Sequence, residues 1–376
     1  MNFNLDDKYL EIRQQALNLA KSIDHIAVEA DESDEVHPDI LSALKTSGLC
    51  RLMVSREFGG IDDSVDPLAI CVVREAMMAT SSHLDSLFAL QGIGSYAISV
   101  AGTAEQQAHW LPRVASCEAL AALALTEQDA GSDLKAVKTE IVASGDGLLL
   151  NGSKAFISNA GSAAFYEVFV KEGSAYSMVL VPADTDGVTV SPTDQLIAPH
   201  VLGDVSFENV RLPDSARLGA PGEGLKLVMA TLGIFRVSVA GAAIGLAQAA
   251  LDEATRHTRT RVQFGRPLAR LGPVAQMLAD SWTEIEMAKL LTYRAAQMAQ
   301  DSSTDTLPHS SMAKLAASET ASKVVDRCVQ MMGRFGLVRD SKIERLYRQA
   351  RPMRIYEGSS EVLRLGIARE LTEITP

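Results

Sequence analysis

The stretch Leu225 to Leu251 limits this chain more than any other. It is nearly all apolar and long enough to imitate a membrane span. Lys226, Arg236 and Gln248 interrupt it, and Gly and Ala fill its second half. A central arginine is costly in lipid, whereas Ala240-Gly241-Ala242-Ala243 and Gly245 let another helix approach closely. The stretch therefore predicts a buried helix in a soluble bundle, with no membrane span. A charge in such a helix is almost never fully buried unless paired. Arg236 is expected to face a cleft or an anionic partner.

The rest of the chain falls into three parts. Residues 1–118 read as helical. Apolar positions recur near a 3.6 period from Leu5 to Ala30, Pro38 and Pro67 suit first turns, and Ser81 to Val100 continues the pattern. Thr103-Ala-Glu-Gln106 matches a capping box. Residues 119–222 change character. Asp146-Gly147 and Asn151-Gly152 are hairpin-type dipeptides, and the runs around Leu148–Leu150, Tyr166–Val170 and Tyr176–Val181 look like strands. Residues 223–376 return to helix: to about His257, then roughly 271–300, 304–333 and 359–372, broken at Gly265-Arg-Pro267, Ser302-Ser303 and Gly333 to Gly336. The expected fold is α+β and multidomain: an N-terminal helical domain, a small central β-barrel or sandwich, and a C-terminal four-helix bundle.

Composition removes several functions. A net charge of −12 argues against a nucleic-acid partner. The acidic, amphipathic start is no signal peptide. Cys50, Cys71, Cys117 and Cys328 are scattered without a CxxC pair, which fits a reduced, cytoplasmic protein. The histidines form no metal-ligand pattern, so no metal is expected. Neither a Walker A loop nor a GxSxG elbow is present, and Gly222-Glu-Gly224 lacks the third glycine of a dinucleotide fingerprint.

Two stretches keep chemical interest. In Leu123-Ala-Leu-Thr-Glu-Gln-Asp-Ala-Gly-Ser-Asp133, Thr126 and Ser132 offer hydroxyls and Gly131 permits close backbone approach. Such a loop can be an anion-binding nest or a plain Gly-Ser entry into a β domain. In Arg354-Ile-Tyr-Glu-Gly-Ser-Ser-Glu361, Glu357 sits between an aromatic and a glycine, an unusual setting for a solvated carboxylate. The segment reads either as a functional turn or as a capping turn whose Glu points to water.

The first of these stretches resembles a signature of the acyl-CoA dehydrogenases, Thr-Glu followed by Ala-Gly-Ser-Asp. Four further elements resemble the same family in order: Asn151-Gly-Ser-Lys154 with Phe156-Ile-Ser-Asn159, Arg261-Val-Gln-Phe264-Gly265, Gln330-Met-Met-Gly333-Arg-Phe-Gly336, and Ile355-Tyr-Glu-Gly358. The likeness covers essentially the whole chain. It implies non-covalently bound FAD and α,β-dehydrogenation of an acyl-CoA thioester. Glu357 would remove the α-proton, and hydride would pass to flavin N5. Leu123, Leu125, Thr126, Gly131 and Ser132 would line the flavin and its pyrophosphate, with Ser132 also touching substrate. Phe156, Ile157 and Ser158 would back the isoalloxazine ring. Arg261, Phe264, Gln330 and Gly333 would reach the FAD of a neighbouring subunit, and Ser359 and Glu361 would close over the dinucleotide. Arg236, Tyr356 and Gly358 would meet the substrate.

The same resemblance implies a homotetramer or homodimer and an electron-transfer flavoprotein as partner. The chain departs from the family at Arg334, Gln349, Gly272 and Gly233. Alternatives on this fold are a dehydrogenase or oxidase acting on an acyl group held by a carrier protein, an oxygen-using enzyme, and a non-catalytic structural member.

Overall fold

The computed structural model describes residues 4–300 and 306–373. Helices come first: α1 (Asp7–Ile23), α2 (Ala27–Asp31), α3 (Pro38–Ser47), α4 (Pro67–Met78), α5 (Ser82–Ile93), α6 (Tyr96–Ala101) and α7 (Ala104–Ala115). Local signals explain several boundaries. Pro38 opens α3, and Gly48 at φ 66° closes it. The expected capping box starts α7: Thr103 Oγ1 accepts from the Gln106 N–H at 3.2 Å, and Gln106 Oε1 accepts from the Thr103 N–H at 2.8 Å. Two expected long helices are broken. Leu5 to Ala30 divides between α1 and α2, and Ser81 to Val100 divides between α5 and α6. The second break falls at Gly94, where a Cβ would lie 2.7 Å from the Ala122 nitrogen.

Strands follow: β1 (Ala121–Ala124), β2 (Glu140–Ser144), β3 (Gly147–Ser158), β4 (Phe165–Glu172), β5 (Ala175–Pro182), β6 (Val188–Pro192), β7 (Leu202–Pro213) and β8 (Arg217–Leu218). The order is β6-β7-β3-β2-β4-β5-β8, with β1 alongside β4 in parallel and off that path. Ile141, Leu150, Tyr166, Val181, Phe207 and Leu212 from across this sheet share one core. One turn reading is corrected. The Asn151-Gly152 dipeptide lies inside β3, at a register shift against β7, and makes no hairpin. Gly152 is needed there because a Cβ would sit 2.6 Å from Thr139 Cα. Asn151 Oδ1 accepts from the Asn209 N–H at 2.8 Å across the irregularity.

The chain then returns to helix: α8 (Gly224–Thr260), a short hairpin of β9 (Val262–Gln263) and β10 (Arg266–Pro267), α9 (Gly272–Met298), α10 (Leu307–Met332), α11 (Lys342–Ala350) and α12 (Ser360–Glu373). The expected break at Ser302-Ser303 lies outside the described residues. Two compact units result. One comprises Met1–Val28, Pro67–Asp85 and Arg236–Pro376; the other comprises Glu29–Asp66 and Ser86–Phe235.

Within the first unit, the small residues of α8 do what the sequence requires of them. A Cβ on Gly241 would lie 2.5 Å from Cys71 O, and one on Gly245 would lie 2.0 Å from Glu75 O. The backbones of α4 and α8 touch at these points, and the membrane-like stretch is mostly buried inside the fold. Gly245→Ala should therefore cost about 2 kcal/mol through overpacking, read as a lower urea midpoint. Gly366→Ala, where the added methyl meets nothing within 4 Å, should be neutral or gain up to about 1 kcal/mol of helix propensity. Equal midpoints for the two variants would refute the close-contact argument.

Candidate active site

Glu357 lies in the turn between a short 3-10 segment, Pro352–Arg354, and α12. Its backbone is left-handed, φ 51°, and Gly358 follows at φ 100°. A left-handed conformation costs a side-chain-bearing residue roughly 1–2 kcal/mol, so something must hold it. Two cations do. Arg236 Nε donates to the Glu357 carbonyl at 2.9 Å, and Lys314 Nζ donates to the Gly358 carbonyl at 2.6 Å. The Arg236 guanidinium is itself anchored, Nη1 donating to Ser311 Oγ at 2.9 Å. A Cβ at Gly358 would come within 3.0 Å of Leu363 Cδ2 and 3.3 Å of Arg236 Nη2, so only glycine fits comfortably.

The turn frees two groups. The Glu357 N–H has no hydrogen-bond acceptor among the described residues. Its carboxylate oxygen Oε2 is enclosed and likewise has no partner. Burial pushes this carboxyl above the ordinary carboxylate value; Arg74, Arg236 and Lys314 pull it back, and Asp85 adds to the rise. Arg74 is fixed by a bidentate pair with Asp85, at 2.9 and 2.7 Å, and by Ser238 Oγ at 2.8 Å. Lys314 is fully buried, and desolvation lowers it to about 8.

Sequence reading found Glu357, Gly358 and Arg236, but missed Lys314 and the Arg74–Asp85 pair. The signal that singled out Arg236 was available for both: a cation within a stretch of small or apolar residues. Ser310-Ser311-Met312-Ala313-Lys314 and Ile70-Cys71-Val72-Val73-Arg74 have that form. Tyr356 flanks the turn with 39% of its surface exposed. Ser359 Oγ accepts from the Val362 N–H at 3.3 Å, so it caps α12, and Glu361 is exposed beside it.

A second set of expected residues gathers in the other unit. Leu123, Leu125 and Thr126 are half-buried along and just past β1. Lys154 Nζ ties this strand end to β3, reaching Leu125 O at 3.0 Å and Glu127 Oε1 at 2.9 Å. Glu127 also accepts from the backbone N–H groups of Lys138 and Thr139, at 2.7 and 3.0 Å. Three contacts outweigh burial, and the Glu127 carboxyl is held below the usual range. Just beyond Lys154, the register of β3 against β7 shifts and Phe156 adopts φ 57°. Its N–H donates to Asp204 Oδ1 at 3.0 Å, and its ring is turned outward, 39% exposed. Ile157 is buried beneath, and Ser158 is half-buried at the strand end. Gly131 and Ser132 are exposed, and a Cβ on Gly131 would meet open space.

A third set lies on the surface of the first unit. Phe264 stands at the β9–β10 tip with φ 50° and 89% exposure. The Arg261 guanidinium lies 5.7 Å from the Phe335 ring, and that of Arg334 lies 4.9 Å from it. Gly333 ends α10 at φ 59° with open space where a side chain would project, and Gln330 is exposed one turn earlier. Arg261 and the Gly333 turn are thus brought together as a basic, aromatic patch.

Comparison with known proteins identifies the family. Models of the acyl-CoA dehydrogenase N-terminal, middle and C-terminal domains match residues 6–118, 122–210 and 222–372. Probable acyl-CoA dehydrogenase FadE25 of Mycobacterium tuberculosis is 33% identical over 377 residues, covering 98% of this chain and 96% of the relative. Cyclohex-1-ene-1-carbonyl-CoA dehydrogenase of Geobacter metallireducens is 35% identical over 356 residues, 92% of each chain. The structure of butyryl-CoA dehydrogenase from Megasphaera elsdenii matches with a TM-score of 0.94 at 29% identity, over 99% of this chain and 100% of that one. The chain belongs to the acyl-CoA dehydrogenase family. Its fold is the family's succession of helical, β and helical domains, and it is an oxidoreductase of that class.

The Lys154–Glu127 pair yields a direct test of the second set. Lys154→Met would take the cation from a buried carboxylate that keeps its two backbone N–H donors, at a cost of about 1.5–3 kcal/mol. The Leu123–Thr126 strand end should then loosen, seen as faster amide exchange at Leu125 and Thr126. Unchanged exchange there would show that the pair does not hold the loop.

Proposed function

We propose that the chain introduces an α,β double bond into an acyl thioester, with Glu357 as the base and FAD as the redox cofactor. The observation carrying this reading is Glu357 Oε2, enclosed, without a partner, and set among three cations. An α-proton next to a thioester is a very weak acid. Its removal needs a base made stronger by desolvation, together with donors for the charge that develops on the thioester oxygen. The unpaired Glu357 N–H is such a donor, so one residue supplies both parts. Arg236 and Lys314 hold the turn that aims them.

The residues of the second set suit a flavin. Leu123, Leu125 and Phe156 offer an apolar wall, and the hydroxyls of Thr126 and Ser158 a polar edge. Gly131 offers a face open to close approach. When bound, FAD accepts the hydrogen and electron pair that leave the β-carbon. The exposed patch of Arg261, Arg334 and Phe335, with Phe264 and Gln330 nearby, has the charge and aromatic surface to hold the polyanionic, adenine-bearing part of a dinucleotide belonging to a second copy of the chain. That reading implies a homodimer or homotetramer. An electron-transfer flavoprotein is the proposed acceptor, and an acyl-CoA the proposed substrate.

Anaerobic titration with a panel of acyl-CoAs tests the whole. Bleaching of the flavin band by one chain type would support the reading. A yellow protein that no acyl-CoA bleaches would move the substrate to a carrier-bound acyl thioester. Glu357→Gln should retain flavin and slow its reduction by about 10³-fold or more; near-normal reduction would remove Glu357 from the role.

The rate should also report the field around the base. Glu357 acts when ionised, and burial holds its pKa above the ordinary value, so reduction should speed up as pH rises through that raised pKa. Lys314 lowers it. Lys314→Met should therefore shift this limb to higher pH. A lower plateau with the limb unmoved would mean that Lys314 only braces the turn.

A further inference from the structure

We propose that His200 is a positioning residue that fixes the hydroxyl of Ser158 and thereby favours the reduced form of the bound flavin. The proposal rests on the flavin reading above, in which Ser158 stands against the ring. His200 lies in the loop before β7, two residues ahead of Leu202, which pairs with Ser158. Its Nε2 is 2.9 Å from Ser158 Oγ and 3.4 Å from Ser86 Oγ. The shorter contact is within the strong range for a hydrogen bond and the longer one is outside it, so Ser158 is the principal partner.

The ring is neutral in the working range. Desolvation pushes His200 down to about 4, against a smaller opposing pull from Asp34. A neutral imidazole has one donor nitrogen and one acceptor nitrogen. Two hydroxyls, those of Ser158 and Ser86, face Nε2. In this proposal Nδ1 carries the proton and Nε2 the lone pair, so Nε2 accepts from the Ser158 O–H. The Ser158 O–H is then committed to His200. What its oxygen has left to offer a cofactor is lone pairs, and an acceptor stabilises the flavin form carrying the additional N–H, which is the reduced one. No sequence pattern announces this. Ile197-Ala-Pro-His200 reads as a proline-punctuated loop, and the histidine meets Ser158 only through the β3–β7 pairing.

The test is the two-electron midpoint potential of the FAD-loaded protein, measured against a reference dye. His200→Ala should free the Ser158 rotor and weaken the preference for reduced flavin about tenfold, a fall of about 30 mV. His200→Gln, whose amide oxygen can accept the same hydrogen bond, should recover most of the shift. In a Ser158→Ala background the His200 substitution should have no further effect. His200→Leu fills the ring's volume without an acceptor and makes the same test if the alanine variant does not fold. An unchanged potential in His200→Ala or His200→Leu, or an equal shift with Ser158 already removed, overturns the proposal. A wild type that takes up FAD and is bleached by an acyl thioester upholds the flavin reading whatever these variants do; one that takes up no FAD overturns both.

Discussion

A carboxylate that takes a proton from carbon cannot be well solvated and strongly basic at once. Direct hydrogen bonds to the charged form would weaken it as a base, and burial without compensation would leave it protonated. In the role proposed for Glu357, its turn meets this demand by moving the compensation one step away. Arg236 and Lys314 bond to backbone carbonyls, at Glu357 and Gly358, and leave Oε2 without a donor. Their charges still act on the carboxylate through space, as does that of Arg74. The same two bonds hold the left-handed backbone that exposes the Glu357 N–H. In the proposed reaction, position, basicity and the donor for the substrate's oxygen would thus depend on one arrangement of two side chains.

Other buried charges in the two units follow a related logic. Glu75 on α4 meets Lys289 at 2.8 Å, Tyr293 Oη at 2.6 Å and Arg13 at 3.4 Å, joining α1, α4 and α9. Arg74, the preceding residue, pairs with Asp85. In the other unit Lys154 and Glu127 join β3 to the end of β1. A buried ion pair is weak evidence for stability, because desolvation offsets much of the attraction. Its geometric demand is nevertheless strict. The Lys154–Glu127 pair locates a segment that carries half-exposed apolar residues, Leu123 and Leu125, which apolar packing alone would draw inward.

Much of the architecture was legible because local signals and tertiary demands coincide. The period of apolar residues placed the long helices, prolines and the Thr103 cap marked their starts, and Gly241 and Gly245 announced a close helix contact that the structure contains. The errors fall where a distant partner overrides a local preference. Asn151-Gly152 is a turn dipeptide by composition, but Thr139 packs against the glycine and β7 pairs on both sides of it, so the chain stays in a strand. Gly94 breaks a helix because of a backbone contact with Ala122, which no window around residue 94 reveals. Within the site, Glu357 and Arg236 carried a local oddity that could be noticed. Lys314 and His200 matter through partners 44 and 42 residues away, and spacing in the sequence says nothing of such contacts.

Backbone strain marks the site more directly than composition does. Among the described residues, seven non-glycine residues have positive φ; Asn159, Asn209 and Asp340 are types that tolerate the left-handed region, and Cys117 lies in the turn after α7, outside the candidate site. Glu357, Phe156 and Phe264 are of another kind. Each has a bulky side chain in a conformation that propensity opposes, and each belongs to a segment with a family motif. Each also has a distinct holding device: the Arg236 and Lys314 clamp for Glu357, the Asp204 acceptor and shifted register for Phe156, and a two-residue antiparallel ladder for Phe264. At Phe264 the ring is almost wholly exposed, so no burial within its own unit offsets the strain. Strain retained without a local return points to one made elsewhere, and for an outward-facing aromatic beside Arg261 the return proposed above is contact with a second copy of the chain.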